Sequence, residues 1–252
     1  MTGVLTVVGL GPGDACFLTP QASAAIEAAE DFFGYIPYLD RLNLTEHQRR
    51  HASDNREELS RAEAALALAA RGGKVCVVSG GDPGVFAMAA AVCEAIEAGP
   101  PEWRTVDLSV VPGVTAMLAV AARAGAPLGH DFCAISLSDN LKPWSVIEAR
   151  LVAAASAGFV MAFYNPVSRA RPHQLDRAFD LLRAHLPETV PVIFGHAAGR
   201  SDEAIRTVRL RDAAASMADM ATCIIVGSAQ TREIERADRH ALVYSPRFWK
   251  ET

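Results

Sequence analysis

The fold of this chain is decided by two stretches, Ser79-Gly80-Gly81-Asp82-Pro83-Gly84-Val85-Phe86 and Gly9-Leu10-Gly11-Pro12-Gly13-Asp14. Each follows an apolar run that is typical of a buried strand, Val75 to Val78 and Val4 to Leu10, and each precedes a helical pattern. Because glycine lacks a side chain, a ligand can approach the bare backbone at such turns. An aspartate closes each loop and can accept hydrogen bonds. The two loops together therefore predict one ligand held between strand ends.

Two well-known phosphate-binding patterns do not fit these loops. The dinucleotide pattern G-x-G-x-x-G needs glycine where Asp14 stands, although the acidic pair Glu30-Asp31 lies near the right distance downstream and keeps this interpretation open. The pattern G-x-x-x-x-G-K-[S/T] is absent, because Gly73-Lys74 is followed by Val75. Aspartates in both loops would also repel a polyphosphate without a metal ion. A less anionic ligand fits better, and the alternative is that each loop is only a tight turn.

Composition limits the class of protein. The 252 residues, half of them hydrophobic, suffice for one large or two small domains, and the net charge of −5 argues against a general nucleic-acid binder. No apolar run is long enough to span a bilayer and no charged-then-apolar leader precedes Val4, so we expect a soluble, cytoplasmic protein without a membrane partner. The cysteines form no C-x-x-C pair, which predicts reduced, buried thiols and no metal site. They are Cys16, Cys76, Cys93, Cys133 and Cys223.

Strand-like runs alternate with amphipathic stretches along the chain, which predicts an α/β protein with mostly parallel sheets. We place the boundary between two α/β domains at Pro112-Gly113, which gives domains of residues 1–113 and 114–252. Helices are predicted from Pro20, after the cap Thr19, and from Asp54, whose spacing to Glu57 resembles a capping box. The further predicted strands are Val106 to Val111, Phe132 to Leu137, Phe159 to Phe163, Val190 to Phe194 and Thr222 to Val226. The further predicted helices are Pro83 to Ala98, Val114 to Ala124, Pro143 to Ala157 and Pro172 to His185.

A family resemblance covers essentially the whole chain. The chain resembles the cobalamin-pathway branch of the tetrapyrrole (class III) methyltransferases, whose signatures are Gly9-x-Gly11-Pro12-Gly13-Asp14, Gly80-Gly81-Asp82-Pro83 and Pro112-Gly113-Val114-Thr115-Ala116. Within that branch it is similar to the precorrin-3B C17-methyltransferases. The segments that carry this closer resemblance are Gly34-Tyr35-x-x-Tyr38-Leu39, Ser53-Asp54-Asn55-Arg56-Glu57, Ala126-Pro127-Leu128-Gly129-His130-Asp131-Phe132, Ile135-Ser136-Leu137-Ser138-Asp139, Tyr164-Asn165-Pro166-x-Ser168-Arg169 and Gly227-Ser228-x-Gln230-Thr231.

The resemblance implies two α/β domains with the cofactor in the cleft between them, and a homodimer as the usual assembly. It implies S-adenosylmethionine as the cofactor and S-adenosylhomocysteine as its product, which explains loops without phosphate-binding features. The implied reaction is methylation at C17 of precorrin-3B, a small-molecule tetrapyrrole, coupled to ring contraction that gives precorrin-4. The implied cofactor contacts are Gly11, Pro12, Gly80, Gly81, Asp82, Val85, Phe86, Thr115, Ala116, Tyr164, Asn165, Ala198 and Thr222.

Two of these positions depart from the family pattern. Asn165 stands where many relatives have methionine, in a tyrosine-methionine-glycine tip, whereas Tyr164 matches. Ala198 stands where relatives often have glycine, and its backbone can still contact the adenine. Some relatives on the cobalt-containing route carry an additional C-terminal part with metal ligands. This chain ends at Thr252 without such a part, so the cobalt-free, oxygen-dependent route is the expectation.

The implied reaction needs proton transfer but no covalent nucleophile. Methyl transfer from a sulfonium is a displacement, in which the protein aligns donor and acceptor and excludes water. The hydroxyl on C20 and a lactone still need an acid or a base, and the candidates are Asp14, His196 and His130. Each keeps a second interpretation. Asp14 can brace its own loop, His196 can be an ordinary loop residue, and His130 can be a turn histidine with a satisfied ring.

The implied substrate is a polycarboxylate, so arginines should line its site. Arg56 and Arg169 are the strongest candidates, and Ser138 and Asp139, beside a predicted strand, complete the substrate contacts. One alternative is a C11 or C2 precorrin methyltransferase, or a relative acting on RNA or on a protein residue. The Ser-Leu-Ser-Asp and Tyr-Asn-Pro segments speak against it. The other alternative is a non-catalytic nucleotide-binding regulatory module, which would bind its ligand without methyl transfer.

Overall fold

A computed structural model of the protein describes residues 3–237 and 239–248. The chain divides into two compact units, Met1–Thr115 and Ala116–Thr252, close to the boundary proposed at Pro112-Gly113. No helix among the described residues is long and apolar enough to cross a membrane.

The described part of the first unit is built on a five-stranded parallel sheet. Its strand order is β3-β2-β4-β1-β5. The strands are β1 (Val4–Gly9), β2 (Asp31–Tyr35), β3 (Arg49–Ser53), β4 (Lys74–Ser79) and β5 (Asp107–Val111). The helices are α1 (Pro20–Ala28), α2 (Ile36–Leu39), α3 (Glu58–Ala70) and α4 (Met88–Ala98). Because all strands run the same way, the carboxyl ends of β1, β4 and β5 lie side by side at one edge.

Helix boundaries in this unit follow the local hydrogen bonds. The predicted cap of α1 is confirmed, because the Thr19 hydroxyl accepts from the backbone N–H of Ala22 at 3.1 Å. The capping box before α3 is half formed: Glu57 accepts from the N–H of Asp54 at 2.9 Å, and the helix begins only at Glu58. The helix predicted from Pro83 begins at Met88 instead, because Phe86 has a left-handed backbone with φ +53°.

The inner strands β1 and β4 of the first sheet are buried on both faces, as their continuous apolar runs predict. Along β4, Val75 and Val77 pack with residues of α3 and α4 on one face. On the other face, Cys76 and Val78 pack with Phe32 and with residues of α1. The helices pack on the two faces of the sheet, and the glycine loops lie at the carboxyl ends of its strands.

The described part of the second unit contains a mixed five-stranded sheet and a small three-stranded one. The larger sheet has the order β10-β9-β11-β8-β7, and the smaller β12-β13-β6. The strands are β6 (Gly125–Ala126), β7 (Phe132–Ser136), β8 (Val160–Tyr164), β9 (Pro191–His196), β10 (Ala204–Arg209), β11 (Thr222–Val226), β12 (Arg232–Arg236) and β13 (Arg239–Tyr244). The helices are α5 (Ala116–Ala124), α6 (Trp144–Ser156) and α7 (Gln174–Arg183).

Strand direction differs between the two units. In the larger sheet of the second unit only β7 and β8 pair in parallel, whereas β8 with β11, β11 with β9 and β9 with β10 are antiparallel among the described strands. Parallel pairings still outnumber antiparallel ones over the described strands of both units, so the predicted mostly parallel α/β fold is confirmed. Residues of α6 and α7 cover one face of this sheet, and α5 packs against β9 and β11.

Some of the motifs that carry the closer family resemblance have a structural role. The buried hydroxyl of Ser245 donates to the carbonyl of Pro127 at 2.7 Å and lies 2.9 Å from the Thr231 hydroxyl. Thr231 in turn accepts from the N–H of Ser228 at 2.8 Å. These bonds join the loop after β11, the residues after β13 and the loop after β6, so these motifs fix the fold at the edge where β11 ends.

The cysteines are all free thiols, but only some are buried. Burial raises the pKa of Cys76 and of Cys223 to about 12, which keeps both protonated and unreactive at neutral pH. Burial also raises the pKa of Cys133. Cys16 and Cys93 are exposed, so the prediction of buried thiols is wrong for these two.

One buried carboxylate joins β2 to the edge strand β3 of the first sheet. Asp31 on β2 is 1 % exposed and receives two hydrogen bonds from Arg49 of β3, at 2.7 and 2.5 Å. His51 of β3 lies 2.7 Å from the same carboxylate and stacks on Phe33 at 4.3 Å between ring centroids. The hydrogen bonds from Arg49 lower the pKa of Asp31 against the opposing effect of burial, with a further contribution from His51.

We expect this carboxylate to contribute to acid stability. A lowered pKa in the folded state means that the contribution is complete above the ordinary pKa of 3.8 and is lost as the pH falls through the lower folded value. Asp31→Asn should reduce the free energy of unfolding at pH 7 by about 1–3 kcal/mol, because it replaces charge-assisted bonds at a buried site. Urea unfolding at pH 7 and pH 3 measures both effects.

The matched control is Asp40→Asn. Asp40 pairs with Arg50 at 2.6 Å, but both side chains are substantially exposed, so its loss should cost at most about 1 kcal/mol. Equal stability of Asp31→Asn and the unaltered protein at pH 7 would contradict the assignment.

Candidate functional site

The two glycine loops of the first unit are hydrogen-bonded to each other. The N–H of Gly11 donates to the carbonyl of Gly81 at 3.1 Å, and the N–H of Gly81 donates to the carbonyl of Gly11 at 2.9 Å. Both residues have a left-handed backbone, with φ of +69° and +67°, which only glycine adopts without strain. The structure therefore brings together the two loops that the sequence predicted to form one site.

A third loop, Pro112 to Thr115, joins them from the end of β5. The N–H of Gly113 donates to Asp82 at 3.0 Å, and the other oxygen of Asp82 accepts from the N–H of Gly84 at 2.8 Å. A Cβ atom on Gly113 would lie 2.3 Å from the carbonyl oxygen of Gly81, so these backbones touch with no room for a side chain. Asp82 thus joins the second and third loops by hydrogen bonds.

Arg41 is a residue of this site that the sequence did not reveal. Its guanidinium donates to the carbonyls of Leu10, Gly13 and Gly11, at 2.7, 2.5 and 3.1 Å. Three backbone acceptors of the first glycine loop are therefore held on one cation. No motif marks this arginine, because its partners are main-chain oxygens about thirty positions earlier in the chain.

Asp14 sits at the exit of the first glycine loop. One of its oxygens accepts from the N–H of Cys16 at 3.0 Å and caps a short helical turn, Ala15–Phe17. The other oxygen makes no hydrogen bond within the described part of the chain and the side chain is exposed. A cavity of about 250 Å³ lies beside Asp14 and Arg41. Asp14 braces its loop and still offers one free oxygen, so both of its predicted roles stay open.

The other predicted residues of the first unit lie on or beside these loops. Gly80 abuts the ring of Tyr38, where a Cβ atom would come within 2.6 Å. Thr115 is buried, and Phe86 is half exposed on a left-handed backbone. Pro12 and Val85 are half buried. All of them surround the carboxyl ends of β1, β4 and β5.

In the second unit, one edge of the larger sheet collects most of the predicted residues. Strands β8 and β9 run in the same direction, because each is antiparallel to β11, and β7 is parallel to β8. The carboxyl ends of β7, β8 and β9 therefore share an edge with the beginning of β11. The predicted residues at this edge are Ser138, Asp139, Tyr164, Asn165, His196, Ala198 and Thr222.

Tyr164 and Asn165 form a fixed tip at the end of β8. The Tyr164 hydroxyl accepts from the N–H of Met117 at 3.0 Å, which holds the first turn of α5 beside the tip. Asn165 has a left-handed backbone, with φ +52°, and its amide donates to the Ser136 hydroxyl at 3.0 Å. Asparagine is one of the few residues that tolerate this conformation.

His196 is oriented by an aspartate that the sequence did not single out. Its Nδ1 lies 3.2 Å from a carboxylate oxygen of Asp219, and the same oxygen accepts from the buried Thr222 hydroxyl at 2.8 Å. Burial alone would raise the pKa of Asp219, but the bonds from Thr222 and from the backbone of Ala221, with His196 nearby, lower it below the ordinary value. Nδ1 of His196 thus faces Asp219, and Nε2 lies 3.6 Å from a carboxylate oxygen of Asp202.

His130 lies apart from these groups. It precedes β7, so it sits at the opposite edge of the sheet from His196, which ends β9. Its Nδ1 accepts from the N–H of Asp131 at 2.7 Å, as expected for a turn histidine. His130 and His196 therefore do not face one reacting group within the second unit, and the catalytic role of His130 stays a prediction.

The four predicted substrate residues differ in whether the structure gives them hydrogen-bond partners. Arg56 and Arg169 are exposed and make no ion pair within the described ranges, so their guanidinium groups are available to an anion. The Ser138 carbonyl accepts from Lys142 at 3.1 Å, and Asp139 accepts from Gln174 at 3.1 Å. Ser138 and Asp139 thus lie in an ordered loop after β7.

The structure defines an α/β protein of two units, the first of which carries bare backbone loops at its strand ends, and comparison with known proteins gives the family. Residues 4–214 match the family of Tetrapyrrole (Corrin/Porphyrin) Methylases, and the chain belongs to this family of methyltransferases.

Individual relatives are similar over most of the chain. A precorrin-3B C(17)-methyltransferase of Sinorhizobium sp is 67 % identical over 99 % of this chain and 98 % of that protein. The cobalamin biosynthesis protein CobIJ of Mycobacterium tuberculosis is 48 % identical over 100 % of this chain, which corresponds to 49 % of that longer protein. The crystal structure of the methyltransferase CobJ is 51 % identical, covers 97 % of this chain and 100 % of that one, and has a TM-score of 0.93.

Proposed function

We propose that this protein transfers a methyl group from S-adenosylmethionine to C17 of precorrin-3B, coupled to the ring contraction that gives precorrin-4 in cobalamin biosynthesis. The observation that carries the proposal is the 67 % identity with a precorrin-3B C(17)-methyltransferase over nearly the whole of both chains. We also propose that the protein works in the cytoplasm as a homodimer and binds neither nucleic acid nor membrane. The usual assembly of the family and the net charge of −5 support this.

The residues present suit this cofactor. The loops around Gly11, Gly81 and Gly113 offer bare backbone and an acidic group, and they carry no lysine of a phosphate-binding pattern. A ligand with a cationic sulfonium and no phosphates fits such walls better than a polyphosphate does. Pro12, Gly80, Asp82, Val85, Phe86 and Thr115 are the proposed contacts in the first unit, and Ala116, Tyr164, Asn165, Ala198 and Thr222 those in the second.

When bound, S-adenosylmethionine supplies an electrophilic methyl group. The work of this chain is to hold the reactants in line and to exclude water. Arg41 and Asp82 fix the glycine loops, and the bond between Tyr164 and Met117 fixes the start of α5. His196, oriented by Asp219, takes the proton of the C20 hydroxyl at Nε2, and Asp14 is the second proposed proton-transfer group.

The direct test incubates the purified protein with S-adenosylmethionine and precorrin-3B. We expect a product that carries one methyl group in place of a hydrogen, with a changed absorbance spectrum, and S-adenosylhomocysteine in equal amount. A different position of the methyl group would favour a C11 or C2 enzyme. Tight binding of the donor without methyl loss would favour a regulatory module. Light scattering of the same preparation tests the homodimer.

The proton-transfer assignment has its own prediction. His196→Ala should reduce turnover roughly 10²–10⁴-fold, the usual contribution of a general base, and should leave the affinity for S-adenosylmethionine nearly unchanged. Asp14→Asn should do the same if Asp14 transfers a proton, and should weaken cofactor binding instead if it only braces its loop. The control is His185→Ala, because His185 is an exposed residue beyond α7. Full turnover in both His196→Ala and Asp14→Asn would refute the assignment.

A further inference from the structure

A buried guanidinium in the second unit is held only by backbone carbonyls among the described residues. Arg171 is only 6 % exposed, yet it makes no ion pair with any carboxylate in the described part of the chain. Its Nη1 donates to the carbonyl of Asn165 at 3.0 Å and approaches that of Leu137 at 3.4 Å. Nε and Nη2 make no hydrogen bond among the described residues. A buried charge without a partner is costly, so such a group needs a reason.

The position of this guanidinium is fixed by the backbone. The N–H of Arg171 donates to the carbonyl of Ser168 at 2.9 Å, and the N–H of Ser168 donates back at 3.3 Å. Pro172 follows directly and restricts the chain before α7. The side chain therefore projects from a closed four-residue turn, and two of its donors are left without a partner among the described residues of the unit.

A second cation approaches the same loop. Lys142 is half buried and its ammonium donates to the Ser138 carbonyl at 3.1 Å. Burial lowers the pKa of Lys142, and the charges of Arg150 and Arg171 lower it further while Asp139 raises it. Asp139 already accepts from Gln174 at 3.1 Å. Arg171 and Lys142 thus share one nearby carboxylate, Asp139, which already accepts from Gln174, so the pair carries an excess of positive charge.

The cluster lies at the edge where the proposed reactants bind. Arg171 contacts the carbonyl of Asn165, the residue next to Tyr164, and Lys142 contacts Ser138. The cations are therefore held on the two loops that follow β7 and β8. The exposed Arg169, which the sequence favoured, lies in the same turn, but its side chain makes no hydrogen bond or ion pair in residues 3–237 and 239–248.

We propose that Arg171 and Lys142 form a subsite that binds one carboxylate of the tetrapyrrole substrate. The proposal rests on the proposed function, because it assigns a place to one acidic side chain of that substrate. A carboxylate accepts two parallel bonds from the free edge of a guanidinium and a third from an ammonium. The substrate would supply the counter-ion that the fold leaves out.

The test measures the KM for precorrin-3B and the affinity for S-adenosylmethionine in Arg171→Gln and Lys142→Met. We expect each change to raise the KM for precorrin-3B about tenfold or more, the size expected for a lost bond between charged groups, with cofactor affinity within about threefold of the unaltered protein. Arg171→Lys, which keeps the charge, should lie in between. Because both cations are assigned to one carboxylate, the double variant should raise KM less than the product of the two single changes.

The controls separate this proposal from a purely structural role and from the proposed function itself. Arg211→Gln removes an exposed arginine at the other edge of the sheet and should change nothing. If Arg171→Gln does not fold, Lys142→Met decides alone, because it leaves the Arg171 contacts intact. The subsite is overturned if the KM for precorrin-3B stays within about twofold of the unaltered protein. It is also overturned if the affinity for S-adenosylmethionine falls by as large a factor as the KM rises. If the unaltered protein does not convert precorrin-3B at all, it is the proposed function that fails.

Discussion

Gly113→Ala should abolish most of the cofactor affinity and destabilise the first unit. The added methyl group would stand 2.3 Å from the carbonyl oxygen of Gly81 and about 2.9 Å from the backbone of Gly9. All of these neighbours are main chain, so no side-chain rotation relieves the clash. The loops must separate, which also stretches the bond from Gly113 to Asp82. We expect a loss of at least about 1–3 kcal/mol of stability, the usual cost of overpacking, and at least tenfold weaker binding of S-adenosylmethionine.

Calorimetric titration with S-adenosylmethionine and urea unfolding measure the two effects. Gly84→Ala is the matched control in the same loop region. A Cβ atom there would meet only one oxygen of the Asp82 side chain, at 3.2 Å, and a side chain can move by the few tenths of an ångström required. If Gly113→Ala binds S-adenosylmethionine as tightly as the unaltered protein does, the close contact of the three loops does not shape the cofactor site.

The glycine loops were predictable because their signal is local. In each loop an apolar strand is followed directly by glycines, and the structure places Gly11 and Gly81 within one pair of reciprocal hydrogen bonds. The residues that complete the site are different. Arg41 and Asp219 act on backbone atoms or on another side chain, and nothing near them in the sequence shows it. Their partners became visible only when distant segments were placed in space.

The missed strands have a related cause. β3 consists of Arg-Arg-His-Ala-Ser, a polar sequence that fits an edge strand exposed to solvent, and β2 begins with the charged residue Asp31. The strand Ala204–Arg209 is likewise a polar edge strand, and among the described strands it pairs only with β9. Strand direction in the second unit also escaped prediction. An apolar run such as Thr222 to Val226 reads the same whether its neighbours are parallel or antiparallel.

The start of α4 was predicted too early because the sequence around Pro83 is compatible with either a helix or a turn. Pro83 favours the first turn of a helix, but it equally favours a turn, and the left-handed Phe86 delays α4 to Met88. Residues 83–87 therefore remain a loop beside Gly81 and Asp82, and this loop includes Val85 and Phe86, two of the proposed cofactor contacts.

Gly195→Ala should have the second large effect, through the packing of α5 on β9. A Cβ atom on Gly195 would lie 2.1 Å from one methyl group of Val120 and 2.7 Å from the other, and Val120 is fully buried. Either β9 or α5 must shift. Because β9 carries His196 and α5 begins at Ala116, the shift reaches the proposed catalytic and cofactor residues. We expect a loss of about 1–3 kcal/mol in stability together with reduced turnover.

The double variant Gly195→Ala with Val120→Ala tests the reason for this effect. Val120→Ala alone removes two buried methyl groups and should destabilise the unit by leaving a small cavity. In the double variant the methyl group introduced at position 195 enters that space, so the double variant should be more stable than Gly195→Ala and should recover turnover. If the two losses simply add, position 195 holds glycine for some reason other than the approach of Val120. Recovery would show that the position of His196 is set by how closely one helix can lie on one strand.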